Sequence, residues 1–428
     1  MSAIFERRNA LTGDINIPGD KSVSHRALIL GALSDGDTVI RHCLKAQDCL
    51  DTMNCLNHLG VSFEDKEDAI IVHGQGMHGL KEPPHVLDVG NSGTTIRLLS
   101  GILAAQNFVS EISGDNSILR RPVDQVIAPL LSMGANISYK FKNNCPPLVI
   151  LPSEIKGITY KGSFASSQVK SSILFCGLYA DSETTIIEPY QSRDHTELLL
   201  KAFGATLLES DEKIIMKPAD KLNAIDLSIP GDISSAAYFI TAALITEDSK
   251  ITLRGVGMNP TRNGFIDVIL AMGADVEIVN AHYGLEPVAD VIVSSSKLHG
   301  ITLEGEIIPR ALDEIPILMV LACYAEGVTV IKDAGELKIK ENDRLDVTID
   351  NLTKMGANIA KVNDSIVIEG GHPLHGAIIG TKYDHRIAMS FAIASLAASG
   401  KTEIIGSECV NTSYPGFYET LRSLFPKN

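Results

Sequence analysis

The sequence predicts an α/β protein of two domains, each built from three repeated β-α-β-α-β-β units wrapped around buried helices. Three observations carry this reading. One phrase recurs with a period of about 70 residues, longer than the usual solenoid periods. A second set of small apolar helices keeps step with it. Two near-duplicate phrases mark places where the chain crosses between domains. At 428 residues the chain is also longer than one hydrophobic core sustains, so two domains are the default.

The period shows first as a helix that runs through glycine into a strand. Its copies are CLNHLGVSFE (55–64), LLSMGANISY (130–139), LLKAFGATLL (199–208), ILAMGADVEI (269–278) and NLTKMGANIA (351–360). Gly60, Gly134, Gly204, Gly273 and Gly356 suit the left-handed residue that ends a helix. A sixth copy, FYETLRSLF (417–425), stops before its glycine. The companion helices are GDKSVSHRALILGAL, GNSGTTIRLLSGILAA, ASSQVKSSILFCGLYA, GDISSAAYFITAALI, LDEIPILMVLACYA and YDHRIAMSFAIASLAASG. They are apolar nearly all round, the mark of a helix enclosed by protein. Polar turns and short β-branched strands follow them, as in SETTII and KTEII.

INIPGDKSVS (15–24) and LSIPGDISSA (227–236) are the crossover phrases. They divide the chain into a discontinuous domain, 1–20 plus 229–428, and an inserted domain, 21–228, with the active site expected in the cleft between them. Reversible closure about Gly19–Lys21 and Ile229–Asp232 is expected, because the candidate ligands divide between the two domains.

Composition excludes several classes. Apolar content of 45% and charged content of 21% are globular values. The opening stretch has no continuous apolar segment of the secretory kind, and IPILMVLACYA (315–325) is too short for a bilayer. Seven scattered cysteines without a CxxC pair read as reduced thiols in a cytoplasm. A net charge of −15 argues against nucleic acid as a partner. The histidines and cysteines between 42 and 85 fit no common zinc spacing, so no metal is expected. GNSGTT lacks the GK[ST] ending of a nucleotide-binding loop.

The helix starts carry the chemistry. Unpaired N–H groups and a positive dipole make helix N-termini anion sites. A lone Ser or Asp there is ordinarily a cap, but Lys21 and Arg386 in a first turn oppose the dipole and call for a bound anion. Arg121, Arg193 and Arg344 sit at repeat boundaries. Taken singly each reads as a surface ion pair, whereas together they read as grips for phosphate and carboxylate. Asp313 in RALDEIP and Glu341 between Lys340 and Arg344 are the acid–base candidates.

Taken together, PGDKSVSHR (18–26), GNSGTTIRL (90–98), RRPV (120–123), SSQVKS (166–171), RDHTE (193–197), ALDEIP (311–316), IKENDRL (339–345) and YDHRIAM (383–389) resemble the 5-enolpyruvylshikimate-3-phosphate (EPSP) synthase family, in order, from about residue 11 to 425. The resemblance implies two inside-out α/β domains of the enolpyruvyl transferase type. It also implies transfer of an enolpyruvyl group from phosphoenolpyruvate to shikimate 3-phosphate, with no cofactor. By the same resemblance, Lys21, Ser22, Arg26, Ser166, Ser167, Gln168, Arg193, Asp313 and Lys340 hold shikimate 3-phosphate. Lys21, Gly93, Arg121, Gln168, Arg344 and Arg386 hold phosphoenolpyruvate, while Asp313, Glu341 and Lys21 move protons. Glu336, Gln168-Val169-Lys170 and RDHTE are similar to the less glyphosate-sensitive branch. Other members carry a lysine where NTSYPGF places Thr412. A cytoplasmic monomer is expected. The alternatives are the related transferase acting on UDP-N-acetylglucosamine and a catalytically dead anion-binding scaffold; intact Lys21, Asp313, Glu341 and Arg386 argue against the latter.

Overall fold

The computed structural model describes residues 1–141, 143–210, 213–363 and 365–426. The chain forms two compact units, Met1–Pro18 with Pro230–Asn428, and Gly19–Ile229. Each has three core helices. In the 19–229 unit these are α1 (Lys21–Leu33), α2 (Gly93–Leu103) and α3 (Ser167–Gly177); in the discontinuous unit they are α4 (Ile233–Ile245), α5 (Ile315–Tyr324) and α6 (His385–Ala394).

Enclosure explains their composition. Every residue of α1 from Val23 to Leu33 and of α4 from Ile233 to Leu244 is buried. With no solvent face to serve, Ala, Gly and Ser let neighbouring elements approach closely. Caps set the start of five of the six. Asp20 accepts from Val23 N, Asp232 from Ser234 N and Asp384 from Arg386 N, while Ser92 and Ser166 do the same for Thr95 N and Val169 N. The remaining helix, α5, has Pro316 near its start, where a missing N–H costs nothing.

The second repeat shows the unit whole. Strand Leu87–Asp88 leads to α2, strand Ser110–Ser113, an outer helix Asp124–Ser132, and the strands Asn136–Tyr139 and Leu148–Leu151. The opening strand pairs parallel with the next (Leu87 opposite Ile112), which pairs antiparallel with the last (Ile112 opposite Leu148). The third and fifth repeats have the same strand order. Gly60, Gly134, Gly204, Gly273 and Gly356 have φ of +94°, +92°, +93°, +91° and +87°, the left-handed ending that the period requires.

The other three repeats borrow strands from a distance. Leu222–Asn223 and Asp226–Ser228 lie parallel to Ser34–Arg41 and open the first sheet. Thr12–Asn16 lies parallel to Lys250–Gly257 and opens the fourth. Among the described residues the sixth copy has no closing strand pair of its own, and Ser2–Glu6 runs antiparallel to Lys401–Ile405 in that place. Its last helix, Phe417–Ser423, seats Phe417 against Tyr238 and Phe239, with ring centroids 5.8 and 5.4 Å apart. Phe417 is wholly buried, which stabilises this closure by roughly 1.5–3 kcal/mol.

Candidate active site

In the 19–229 unit the first turns of α1, α2 and α3 are tied together by polar side chains. Arg26, buried in α1, donates to Ser171 Oγ of α3 at 2.8 Å and to Thr196 Oγ1 at 2.6 Å. Gln168 Nε2 of α3 donates to Thr94 Oγ1 of α2 at 3.1 Å. A chain of buried groups joins α1 to α2: His25 Nδ1 meets Thr52 Oγ1 at 2.7 Å, Thr52 meets Thr95 Oγ1 at 2.6 Å, and Thr95 donates to Ser92 Oγ at 2.6 Å. Burial, reinforced by the charges of Lys21 and Arg26, holds His25 well below the usual 6.5, so the imidazole is neutral. If each hydroxyl donates toward Ser92, the His25 proton resides on Nδ1.

These ties bring Lys21, Ser22, Arg26, Gly93, Ser166, Ser167 and Gln168 to one pole of the unit, where three helix N-termini present positive ends. Arg121 joins them beside Gly93. A Cβ on Gly93 would lie 3.1 Å from Arg121 Nη1 and 2.7 Å from Arg97 Nη1. Arg121 is only 6% exposed, so it is not the surface ion pair that a lone arginine suggests. Its partners are Asn91 O at 3.2 Å, Asn91 Oδ1 at 2.8 Å and Ser117 Oγ at 2.7 Å, and its Nε has none. It forms no ion pair among the described residues. A buried guanidinium held only by neutral groups is costly unless an anion completes it. Lys21 differs from the sequence expectation, because its Nζ is 2.8 Å from Asp48 Oδ2, a largely buried carboxylate that already offsets the charge at the start of α1. Arg193 follows a loop fixed by a buried ion cluster around Lys170.

The discontinuous unit gathers charges of both signs where α4, α5 and α6 begin. Arg344, 2% exposed, donates from Nε to Asp384 Oδ2 at 2.7 Å, bonds Glu341 through Nη2, and has Nη1 3.7 Å from Asp313 Oδ1. Arg386 lies 3.5 Å from Asp313 Oδ2 and 3.9 Å from Glu314 Oε1. Asp313 therefore bridges both arginines. Behind them, buried Arg262 grips Glu314 at 2.7 and 3.0 Å. Burial works against charge on Arg344 and Arg386, but the neighbouring carboxylates outweigh it and hold both above the ordinary arginine value. Burial also pushes Asp384 up, against the pull of Arg344. Lys340 follows the turn Gly335–Ile339 that leads to Glu341, and Thr412 ends the turn Ser407–Thr412.

Four of these groups escape a reading of the sequence. Asp384 had a signal, since an Asp just before a buried helix is a cap and a charge. Nothing local links Asp48 to Lys21 across 27 residues, or Arg262 to Glu314 across 52. Arg97 stands one turn after Gly93 and donates to its carbonyl at 2.9 Å, but on a buried helix it reads as a chance cation. Among the described residues no cluster of three or more His, Cys, Asp or Glu is placed to hold a metal, and no helix is long and apolar enough to cross a membrane. All seven cysteines are unpaired thiols.

Each unit thus has three core helices whose starts carry polar and charged groups, cations with few carboxylates in one unit and cations among carboxylates in the other. The profile of EPSP synthase (3-phosphoshikimate 1-carboxyvinyltransferase) matches residues 5–421. A 3-phosphoshikimate 1-carboxyvinyltransferase of Thermoanaerobacter sp. (strain X514) is 49% identical over 425 residues, covering 99% of this chain and 100% of its own. Its Bacillus anthracis counterpart is 47% identical over 97% of each chain. The structure of EPSP synthase from Acinetobacter baumannii superposes with a TM-score of 0.87 at 42% identity, covering 99% of this chain and 98% of the other. The chain belongs to the EPSP synthase family.

Proposed function

We propose that the protein transfers the enolpyruvyl group of phosphoenolpyruvate to the 5-hydroxyl of shikimate 3-phosphate and releases phosphate, on the way to chorismate. The observation that carries this reading is Arg121, buried and held by neutral groups alone, beside Gly93 at the start of α2. A dianionic phosphate completes it, with Lys21 and Gln168 as its other partners. Arg344 and Arg386, spaced by Asp313, take the carboxylate of the same substrate. Ser22, Arg26, Ser166, Ser167, Gln168, Arg193, Asp313 and Lys340 take shikimate 3-phosphate.

The reaction needs an addition and an elimination. The 5-hydroxyl oxygen bonds C2 of phosphoenolpyruvate while its proton passes to Asp313. C3 takes a proton, giving a tetrahedral intermediate. The C2–O bond to phosphate then breaks as C3 gives its proton back. Glu341 and Lys21 serve the C3 proton. Cations around the departing phosphate and the substrate carboxylate supply charge stabilisation, and positioning supplies the rest. Glu336, Gln168-Val169-Lys170 and RDHTE, which resemble the less glyphosate-sensitive branch, support weak inhibition by glyphosate together with Thr412. The protein works as a cytoplasmic monomer without nucleic acid.

Phosphate release measured with both substrates tests the assignment. Turnover is expected only when both are present. Turnover with UDP-N-acetylglucosamine in place of shikimate 3-phosphate would assign the related transferase, and binding of both substrates without turnover would assign a dead scaffold.

A further inference from the structure

Lys170 is the second lysine of the inserted unit to lie in a core helix, yet none of the roles above uses it. It stands in the first turn of α3, two residues after Gln168, and is 1% exposed. An ammonium has three protons, and all three find acceptors: Glu197 Oε1 at 2.7 Å, Glu188 Oε2 at 3.0 Å and the Ser192 carbonyl at 3.1 Å. Glu188 in turn accepts from Ser192 N at 3.3 Å and Ser192 Oγ at 3.0 Å. The stretch 188–192 is thereby closed on itself and fastened to α3. Arg193 is the next residue. Glu197 lies in the helix His195–Ala202 that begins just beyond it.

We infer that Lys170 is a positioning residue for shikimate 3-phosphate, holding the Arg193 segment in register with Ser166, Ser167 and Gln168 on α3. The inference rests on the assignment of Arg193 to the phosphate of that substrate. It also gives a physical meaning to two motifs that the sequence shows as separate, SSQVKS and RDHTE: their Lys170 and Glu197 are one ion pair. Stability alone is a weak reason to bury such a cluster, since replacement of buried ions by apolar groups is often neutral or favourable. What the cluster supplies is a single geometry for two segments that must grip one ligand from different elements. Burial opposes the charge of Lys170, but its two carboxylates outweigh that effect and keep it ionised. Burial pushes Glu197 upward, against the pull of Lys170.

The test is the dissociation constant for shikimate 3-phosphate, measured by calorimetry on folded protein, for Lys170→Met, Arg193→Ala and the double variant. If the Arg193 segment adopts its binding arrangement only about a tenth of the time without Lys170, the constant rises about tenfold. The double variant is then no weaker than Arg193→Ala, because the lysine acts through the arginine. The Michaelis constant for phosphoenolpyruvate at saturating shikimate 3-phosphate stays within about twofold on the same scheme. Should Lys170→Met fail to fold, Lys170→Met/Glu188→Gln/Glu197→Gln leaves no stranded charge and is measured in its place. A lowered melting temperature with an unchanged dissociation constant would make Lys170 purely structural and overturn the inference, provided Arg193→Ala still weakens binding. An unchanged constant in Arg193→Ala would instead overturn the assignment of Arg193, and the inference with it.

Discussion

The two units solve the same packing problem and then surround Arg121 and the buried arginines of the other unit differently. Around α1–α3 the buried guanidinium of Arg121 has only an amide, a carbonyl and a hydroxyl for company. Around α4–α6, Arg262, Arg344 and Arg386 are all engaged by carboxylates, drawn from Asp313, Glu314, Glu341 and Asp384. The difference teaches a division of labour. Among the described residues no carboxylate pairs with Arg121, whereas Lys21 in the same unit already has Asp48 as its partner. On the proposed assignment, the carboxylate-rich side holds proton acceptors among its cations, and a substrate carboxylate at Arg344 competes with Asp313 and Glu341.

The largest expected effect lies on the carboxylate-rich side. Asp313→Ala and Glu341→Ala should each lower turnover by about 10²–10⁴-fold, the usual contribution of a general acid or base. Binding of phosphoenolpyruvate should persist in both, because each removes negative charge from beside Arg344. Rapid-quench kinetics with calorimetric binding checks this. Wild-type turnover in either variant would remove that residue from the mechanism.

A smaller effect is expected on the carboxylate-poor side. In Gly93→Ala the new methyl presses on the ends of Arg97 and Arg121, both flexible, so the guanidiniums give way and the phosphate grip loosens. A clash of this size costs about 1–3 kcal/mol, or roughly 5- to 150-fold in affinity. Glyphosate, longer than phosphoenolpyruvate, should lose more than the substrate does, as competitive inhibition constants for both proteins will show. Equal constants would mean that residue 93 does not line that pocket.

The smallest effect concerns stability. His25 is neutral and buried in the folded protein, held well below 6.5, while in the unfolded chain it titrates normally. Its contribution is therefore complete above about pH 6.5 and is lost as pH falls toward the folded value, at no more than about 1.4 kcal/mol per pH unit. His25→Gln should flatten this part of the stability curve in denaturant titrations between pH 7 and 5. An unchanged slope would assign the acid sensitivity to other groups.

Much of this was legible before any coordinates. The glycines that end the outer helices and the all-round apolarity of the core helices are local properties, and local properties repeat visibly. Lys21, Arg121 and Asp313 stand in motifs and could be proposed from the sequence alone. What could not be read was pairing at a distance. The two-residue strand Leu222–Asn223 carries no pattern of its own and earns its place only beside Ser34 and Asp35. Asp48 looks like any first-turn acid until α1 lies next to it. Lys170 and Glu197 sit in two quoted motifs, but their contact is a property of the fold.

The borrowed strands also set a timetable. Ser2 pairs with Ile405, a partner 403 residues later in the chain (405 − 2). At a synthesis rate of roughly 5–20 residues per second, the first strand waits about 20–80 s for its neighbour. The 19–229 unit is under no such delay, for its last borrowed strand, Asp226–Ser228, emerges just as the unit ends. One half of the protein has every strand it needs before the other half has begun to close, and the strand Ser2–Glu6 is among the last to find its neighbour.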